Sequence, residues 1–380
     1  MPPFASGSAT EASPRHPDVN QDAFAVDEKR QLLMVADGMS GSAKGETVSA
    51  AARDAVVEFG DDLDEMIQDA CDVSGSPYLT LDEASSVMDA HFRMIADRAW
   101  EASIENKFRS VRPTTTLMTA KLFEIAPAET YAIVKSVGDC QSMVLRADGE
   151  LERVNIEEDG KFAERIRRGQ LTEDEADIIV ESGSPTEAVR TFLQYLAGLG
   201  QVDASVPAMI LDEISLEMQW NLIPDSVRIK ARSISMLTRA YFSGERSSVT
   251  AEVGLKPGSE LRVHSATIRI NPGDRLFLAT DGIDALRRAQ IREALLRGTS
   301  IGEQTRALVE DAKEANKKED MRAKPDDITV IGMETPGVRE AFEQMKTESS
   351  KRLAEASRVQ ADARRIEVAR EKAVSIAERQ

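Results

Sequence analysis

Short aspartate-containing segments occur beside predicted strands at five places along this chain, and no other feature restricts the fold as strongly. Asp22, Asp37, Asp139 and Asp281 each adjoin an apolar run that is typical of a strand, and Asp326 comes shortly before another. Carboxylates that meet at strand ends repel one another unless multivalent cations lie between them. The pattern therefore predicts a cluster of acidic side chains, arranged as in a hydrolase with two metal ions.

The order and local sequence of these segments strengthen the prediction. They read NQDAF at 20–24, VADGMSG at 35–41, GE at 45–46, TT at 115–116, VGDC at 137–140, TDG at 280–282 and DDITV at 326–330. Each is weak evidence by itself, because Asp-Gly is a common turn dipeptide. Together, over roughly residues 17–333, they resemble the metal-dependent serine/threonine phosphatases of the protein phosphatase 2C-like family, in its bacterial type.

The resemblance implies an α+β fold, a β-sandwich of two mostly antiparallel sheets flanked by helices on both outer faces. Apolar runs predict strands near 23–26, 32–36, 115–122, 130–137, 142–145, 261–270, 275–279 and 328–331. Helical spacing predicts helices at 46–59 and 81–108, the second capped by Thr80 or Asp82. We expect one catalytic domain over residues 1–335 and a charged helical tail over 336–380.

The stretch between Asp139 and Asp281 is longer than the resemblance requires, with 281 − 139 = 142 positions. Residues 165–172 resemble the flap of the family, and Thr172-Glu173-Asp174-Glu175 predicts a capping box. Residues 187–225 match nothing in the family and are interpreted as a helical insertion. We expect flap and insertion to occupy about 155–260, with the family pattern resuming at 233–244.

The last part of the chain, residues 337–380, contains no proline and carries charges of both signs at helical spacing, such as Glu348 and Arg352. This pattern predicts a C-terminal helix. Two roles stay open for it: a solvated or packed helix, and self-association through a coiled coil.

Composition excludes several classes of protein. The net charge of −18 argues against a nucleic-acid partner, because binding a polyphosphate depends on Lys and Arg. No run approaches the ~18 apolar residues that cross a bilayer, and residues 1–6 lack the features of a signal peptide. Cys71 and Cys140 are too few for a disulfide framework. We expect a cytoplasmic protein with a phosphoprotein substrate and neither a nucleic-acid nor a membrane partner.

The resemblance also implies roles for individual residues. Asp37 would bridge two cations, with the backbone carbonyl of Gly38 as a further oxygen ligand. Asp281 and Asp326 would complete the shell of the first metal, and Asp22 would hold the second directly or through water. Hard oxygen ligands of this kind favour Mn²⁺ or Mg²⁺ over zinc.

Further roles follow from the same comparison. Asp139 would help Asp281 to hold a weaker third metal. The phosphate-binding arginine of the family is expected at Pro17; Arg15 or His16 could serve instead, and we assign the role to Arg15, with a merely solvated Arg15 as the alternative.

Other positions depart from the family pattern or support the site. Met39 stands where some members carry a histidine proposed as general acid, Gln21 replaces a glutamate, and Cys140-Gln141 replaces serine and arginine. Thr115-Thr116 is predicted to support strand packing near the site. Asp327 is predicted to be a hydrogen-bond partner rather than a metal ligand.

The resemblance implies hydrolysis of phosphoserine and phosphothreonine monoesters in proteins by a metal-activated water. Two alternatives stay open. One is a catalytically silent binding or scaffold protein, suggested by the missing arginine and the altered segment 138–141. The other is a switch phosphatase that acts on an anti-sigma-factor antagonist.

Overall fold

The computed structural model describes residues 5–39, 44–107, 112–154, 165, 171–182, 184–208, 210, 223–242, 253–254, 256–317 and 325–334. The predicted tail at 336–380 and most of the predicted flap lie outside these residues. Within them, no helix has both the length and the apolar character needed to cross a membrane.

Most strands of the described residues belong to two antiparallel sheets. In chain order, β1–β12 are Ala5–Glu11, Ala23–Asp27, Leu32–Ala36, Gly38–Met39, Thr114–Thr115, Leu117–Ala126, Glu129–Val137, Gln141–Leu145, Leu151–Arg153, His264–Ile270, Arg275–Ala279 and Ile328–Glu334. One sheet has the order β1-β12-β11-β8-β9, and the other has the order β10-β7-β6-β3-β2. The short strands β4 and β5 pair separately.

Helices lie between these strands in the sequence. In chain order, α1–α9 are Gly45–Glu58, Gly60–Ser74, Leu81–Glu105, Glu173–Glu181, Pro185–Gly198, Ser205–Ala208, Asp225–Phe242, Arg288–Arg297 and Ile301–Asn316. Thr80 and Glu83 form a capping box at the start of α3, as the sequence predicts, and Thr172 and Glu175 form another at the start of α4.

The two sheets pack face to face, because alternate residues of each strand point to opposite sides. Strand β3 shows this arrangement. Leu33 and Val35 belong to the apolar layer between the sheets, together with Met118, Leu278 and Ile331. Leu32, Met34 and Ala36 of the same strand belong to the cluster under the helices instead.

Each outer face of the sandwich is covered by helices. Helices α1–α3 cover the sheet that contains β3 through one apolar cluster, and α8 and α9 cover the other sheet through a second. The predicted two-sheet sandwich with helices on both outer faces is therefore confirmed. The structure adds elements that the sequence pattern did not predict: β1, α2, α8 and α9.

The described residues of the predicted insertion include α5, α6 and the start of α7, and the insertion has an apolar cluster of its own. Ile179, Phe192, Leu193, Ala231 and Ile234 belong to that cluster, which joins α4, α5 and α7. Residues up to Phe242 continue α7, and the expectation that the family pattern resumes at 233–244 stays a prediction.

Candidate metal centre

Three of the predicted ligands come together at one end of the sandwich. Asp37 follows β3, Asp139 follows β7, and Asp281 follows β11 at the start of a 3-10 helix. One carboxylate oxygen from each lies within 4.8 Å of the others. The three segments belong to both sheets, so packing of the sandwich creates the cluster.

The backbone of Asp37 is fixed by the two threonines that the sequence singled out. The carbonyl of Asp37 accepts hydrogen bonds from Thr115 Oγ1 at 2.7 Å and from the Thr116 amide at 2.9 Å. The Asp37 amide donates to Thr116 Oγ1 at 3.3 Å. The prediction that this pair has a structural role beside the site is therefore confirmed.

Gly38 lies in a space that no side chain could occupy. A Cβ atom built there would be 2.4 Å from the carbonyl oxygen of Gln21 and 2.6 Å from the carbonyl carbon of Gly45. The Gly38 amide donates a 3.1 Å hydrogen bond to that Gln21 oxygen. Glycine thus lets the segment after Asp37 contact the segment before Asp22.

Asp22 lies beside this cluster and is held by the other sheet. Its Oδ2 accepts a 2.8 Å hydrogen bond from Thr280 Oγ1. Burial, the charge on Asp37 and the charge on Asp327 raise the pKa of Asp22 well above its usual value. A nearby cation would reverse this effect by favouring the charged carboxylate.

The donor set fits divalent cations. The grouped ligand atoms are carboxylate oxygens, which Mg²⁺ and Mn²⁺ prefer. Asp22 Oδ1 and Asp139 Oδ1 are both buried, and neither has a hydrogen-bond partner among the described residues. Buried carboxylate oxygens are normally hydrogen-bonded or coordinated to a metal, so these two atoms are suited to coordination.

Asp326 belongs to a neighbouring group rather than to the cluster of Asp37. The carboxylate of Asp326 lies within 4.8 Å of the carboxylate of Asp327 and of the imidazole of His16. Asp326 Oδ1 accepts a 3.0 Å hydrogen bond from the Asp327 amide, which turns the side chain toward its own backbone. The expectation that Asp326 shares a cation with Asp281 therefore stays a prediction.

Asp327 has the supporting role that the sequence predicted. It is 2% exposed. Its Oδ1 accepts from the Ser13 amide at 2.6 Å, and its Oδ2 accepts from the Gln21 amide at 2.7 Å. Burial raises the pKa of Asp327, while these two hydrogen bonds lower it. The residue fixes both ends of the loop that leads to Asp22.

Arg15 lies on that loop as an exposed residue. Its amide donates a 3.2 Å hydrogen bond to Ser13 Oγ. His16 is only partly exposed and lies with its Nδ1 atom 3.6 Å from Asp327 Oδ1. The structure thus places Arg15 at the surface, and its role in binding phosphate stays a prediction.

The residues that depart from the family pattern have partners of their own. Cys140 is buried with its Sγ atom 3.0 Å from Thr116 Oγ1, and burial together with the charge on Asp37 raises the pKa of its thiol. Gln141 hydrogen-bonds through Nε2 to Asp284 and accepts a 2.9 Å bond from Arg153. The side chain of Gln141 therefore joins β8 to the 3-10 helix that begins at Asp281.

Sequence reasoning missed one supporting residue. In the sequence Thr280 is only the first residue of the TDG segment, yet its hydroxyl donates a hydrogen bond to Asp22, and its amide donates a 3.0 Å hydrogen bond to the Thr329 carbonyl. The available signal was position. A hydroxyl residue directly before a predicted ligand, at a strand end, is well placed to support other ligands.

Comparison with known proteins agrees with this architecture. The sequence profile of the family described as Protein phosphatase 2C matches residues 15–323. The chain therefore belongs to the protein phosphatase 2C family, whose members are serine/threonine protein phosphatases. No curated protein sequence matches the chain.

Solved structures show the same fold at low sequence identity. The serine/threonine phosphatase Stp1 from Staphylococcus aureus is 17% identical, with a TM-score of 0.52 over 88% of this chain and 96% of that chain. The serine/threonine phosphatase of S. agalactiae is 17% identical, with a TM-score of 0.52 over 87% and 99%. The Mycobacterium tuberculosis phosphatase PstP/Ppp is 20% identical, with a TM-score of 0.50 over 87% and 98%.

Proposed function

We propose that this protein hydrolyses phosphoserine and phosphothreonine monoesters in proteins by metal-dependent attack of water. The observation that carries the proposal is the approach of Asp37, Asp139 and Asp281 to within 4.8 Å of one another. Three acidic side chains at that distance are electrostatically costly without cations between them. Membership in the protein phosphatase 2C family supports the same reaction class.

The ligands of the cations would be the carboxylates of this cluster. Asp37 would bridge two ions, with the Gly38 carbonyl, Asp22 and Asp281 as further ligands, and Asp326 would join by turning away from its own backbone. Asp139 would serve a weaker third ion. When bound, Mn²⁺ or Mg²⁺ supplies Lewis acidity that lowers the pKa of a coordinated water towards about 7.

The chain itself contributes orientation. Thr280 holds one oxygen of Asp22 and leaves Oδ1 directed elsewhere. Asp327 fixes the loop of residues 13–21 through two backbone amides. Carboxylates held in this way need little reorganisation during the reaction, which is how preorganised sites lower a barrier.

Arg15 is our candidate for binding the substrate phosphate. It is exposed and lies on the same loop as Asp22, so its guanidinium could reach a substrate that approaches from solvent. A guanidinium binds two phosphate oxygens at once and offsets the charge that develops on them. Met39 cannot donate a proton, so the leaving alkoxide would take its proton from water.

The test uses two peptides of one sequence, one with phosphothreonine and one with phosphotyrosine, and measures phosphate release with Mn²⁺ or with a chelator. We expect metal-dependent release from the phosphothreonine peptide, and a much lower rate with phosphotyrosine. If neither peptide is hydrolysed while the folded protein still binds the phosphothreonine peptide, the silent binding protein is the better description.

A further inference from the structure

A buried lysine lies outside the metal centre. Lys135, in β7, is 4% exposed. No carboxylate of the described residues forms an ion pair with it. Lysine is rarely buried in this way unless its charge is paired, because a buried ammonium group loses its hydration.

The partners of this lysine are two serine hydroxyls. Nζ of Lys135 donates to Ser85 Oγ at 2.9 Å and to Ser265 Oγ at 3.0 Å, and the two hydroxyl oxygens lie 3.5 Å apart. Ser85 comes from α3, and Ser265 comes from β10. The neighbouring acid, Asp89, is already paired with Arg93 at 2.8 Å.

The electrostatics and the donor groups of the cluster favour an anion. Burial lowers the pKa of Lys135, the charge of Asp89 opposes this effect, and the charge of Arg93 adds to it. Hydroxyl groups can donate hydrogen bonds to an oxyanion, and an ammonium group can compensate its charge. One positive charge with two hydroxyls is the donor set of a small oxyanion site.

The cluster is open to solvent on one side. Strand β10 is at the edge of its sheet among the described residues, and Ser265 is exposed. Ser265 lies directly opposite Lys135 in the β10–β7 ladder, so the two side chains share a face. Lys135 precedes Asp139 by four residues. Four residues of a strand span about 13 Å, so the lysine and the metal centre are separate sites.

We propose that Lys135, Ser85 and Ser265 form a second site, which binds a phosphoryl group. The group has two chemical sources. Free inorganic phosphate would accept hydrogen bonds from all three side chains. Alternatively, a serine kinase would transfer the terminal phosphoryl group of a nucleoside triphosphate to Ser265 Oγ; the hydroxyl loses its proton, and the nucleoside diphosphate leaves.

The first arm of the test addresses free phosphate. The full-length, Mg²⁺-loaded protein is titrated calorimetrically with sodium phosphate at constant ionic strength, beside Lys135→Met. Both proteins can bind phosphate at the metal centre, so the difference between their phosphate-binding isotherms measures binding at the second site. We expect Lys135→Met to remain folded and to bind this component at least about tenfold more weakly.

The second arm addresses a covalent phosphoryl group through Ser265→Asp, with Thr267→Asp as matched control. Thr267 is an exposed residue of the same strand and lies opposite Ile133 instead of a lysine. We expect Ser265→Asp to have the higher melting temperature of the two, and Lys135→Met to remove that advantage in the double variant.

The outcomes separate the sources. Phosphate binding that depends on Lys135, without stabilisation by Ser265→Asp, supports free phosphate. Stabilisation by Ser265→Asp, without phosphate binding that depends on Lys135, supports phosphorylation of Ser265. The second site does not exist if two results occur together: Lys135→Met binds phosphate as tightly as the unmodified protein, and Ser265→Asp and Thr267→Asp have the same melting temperature. None of these results depends on the proposed hydrolysis.

Discussion

The hydroxyl of Thr280 donates a 2.8 Å hydrogen bond to Oδ2 of Asp22. Thr280 directly follows β11 of one sheet, and Asp22 directly precedes β2 of the other, so this bond joins the two sheets at the metal centre. Thr280 comes directly before Asp281 in the chain. One short segment therefore contains the predicted ligand Asp281 and the hydroxyl group that orients a second predicted ligand, Asp22. A change at Thr280 is therefore expected to act on metal binding through Asp22.

Replacing Thr280 with valine removes the hydroxyl while keeping the shape of the side chain. We expect Thr280→Val to weaken Mn²⁺ binding about tenfold, because a hydrogen bond to a charged group contributes about 1.5–3 kcal/mol. Thr280→Ser keeps the hydroxyl and is the control. Calorimetric titration with Mn²⁺ measures the effect; equal affinities in both variants would show that Asp22 needs no orientation.

Asp326 and Asp327 are adjacent acids that we expect to fail in different ways. Asp327→Asn places an amide group against a backbone N–H of Ser13 or Gln21, so we expect the metal-free protein to lose about 1–3 kcal/mol of unfolding free energy. Asp326→Asn should leave this stability nearly unchanged and weaken Mn²⁺ binding. Chemical denaturation and metal titration of both variants check the distinction. It would be contradicted if Asp326→Asn lost the unfolding free energy while Asp327→Asn kept its stability and bound Mn²⁺ more weakly.

His91 should make the protein sensitive to acid. It is fully buried in α3, and burial, together with the charge of Lys121, lowers its pKa to about 4. The ordinary pKa of histidine is about 6.5, so between these values the unfolded chain binds a proton that the folded chain excludes. Stability should fall as the pH decreases from about 6.5 to about 4, by up to about 3 kcal/mol.

The check is the unfolding free energy against pH for the unmodified chain and for His91→Leu. We expect His91→Leu to flatten the curve between these pH values. An identical slope in His91→Leu would mean that other groups cause the acid sensitivity.

The insertion contacts the segment that follows Asp281. The guanidinium of Arg287 forms hydrogen bonds of 2.8 and 2.9 Å with the carboxylate of Glu187, and the Arg288 amide donates a 2.9 Å bond to Glu181. We expect Glu187→Arg to speed hydrogen exchange of the α8 amides, and Arg287→Glu in the same chain to restore protection. A double variant that exchanges as fast as the single one would argue against this pairing.

The parts of the fold that a local sequence pattern determines could be predicted from the sequence. All five residues of β3 are buried, and such a run is recognisable as a central strand. The aspartate segments predicted the approach of Asp37, Asp139 and Asp281, since strands that pack in a sandwich bring their ends together. The distinction between Asp326 and Asp327 was also predicted in part, because only Asp327 was expected to be a hydrogen-bond partner.

Other parts depend on contacts that no local pattern shows. Strand β1 reads ASGSATE and lacks an apolar alternation; it becomes a strand because it pairs with β12, from Ala5 opposite Glu334 to Glu11 opposite Ile328. Helix α2 begins at Gly60, a residue that normally suggests the end of a helix. Here a Cβ at Gly60 would be 2.6 Å from the Arg30 guanidinium, so a larger residue would displace that side chain.

The most direct test of the metal centre is the Mn²⁺-dependent hydrolysis of a phosphothreonine peptide by Asp37→Asn. The control is Asp54→Asn, which changes an exposed acid of the nearby helix α1. We predict that Asp37→Asn loses at least about 100-fold in turnover at any Mn²⁺ concentration while its fold is retained, and that Asp54→Asn is unaffected. Turnover by Asp37→Asn equal to that of Asp54→Asn would contradict the assignment of Asp37 as the bridging ligand.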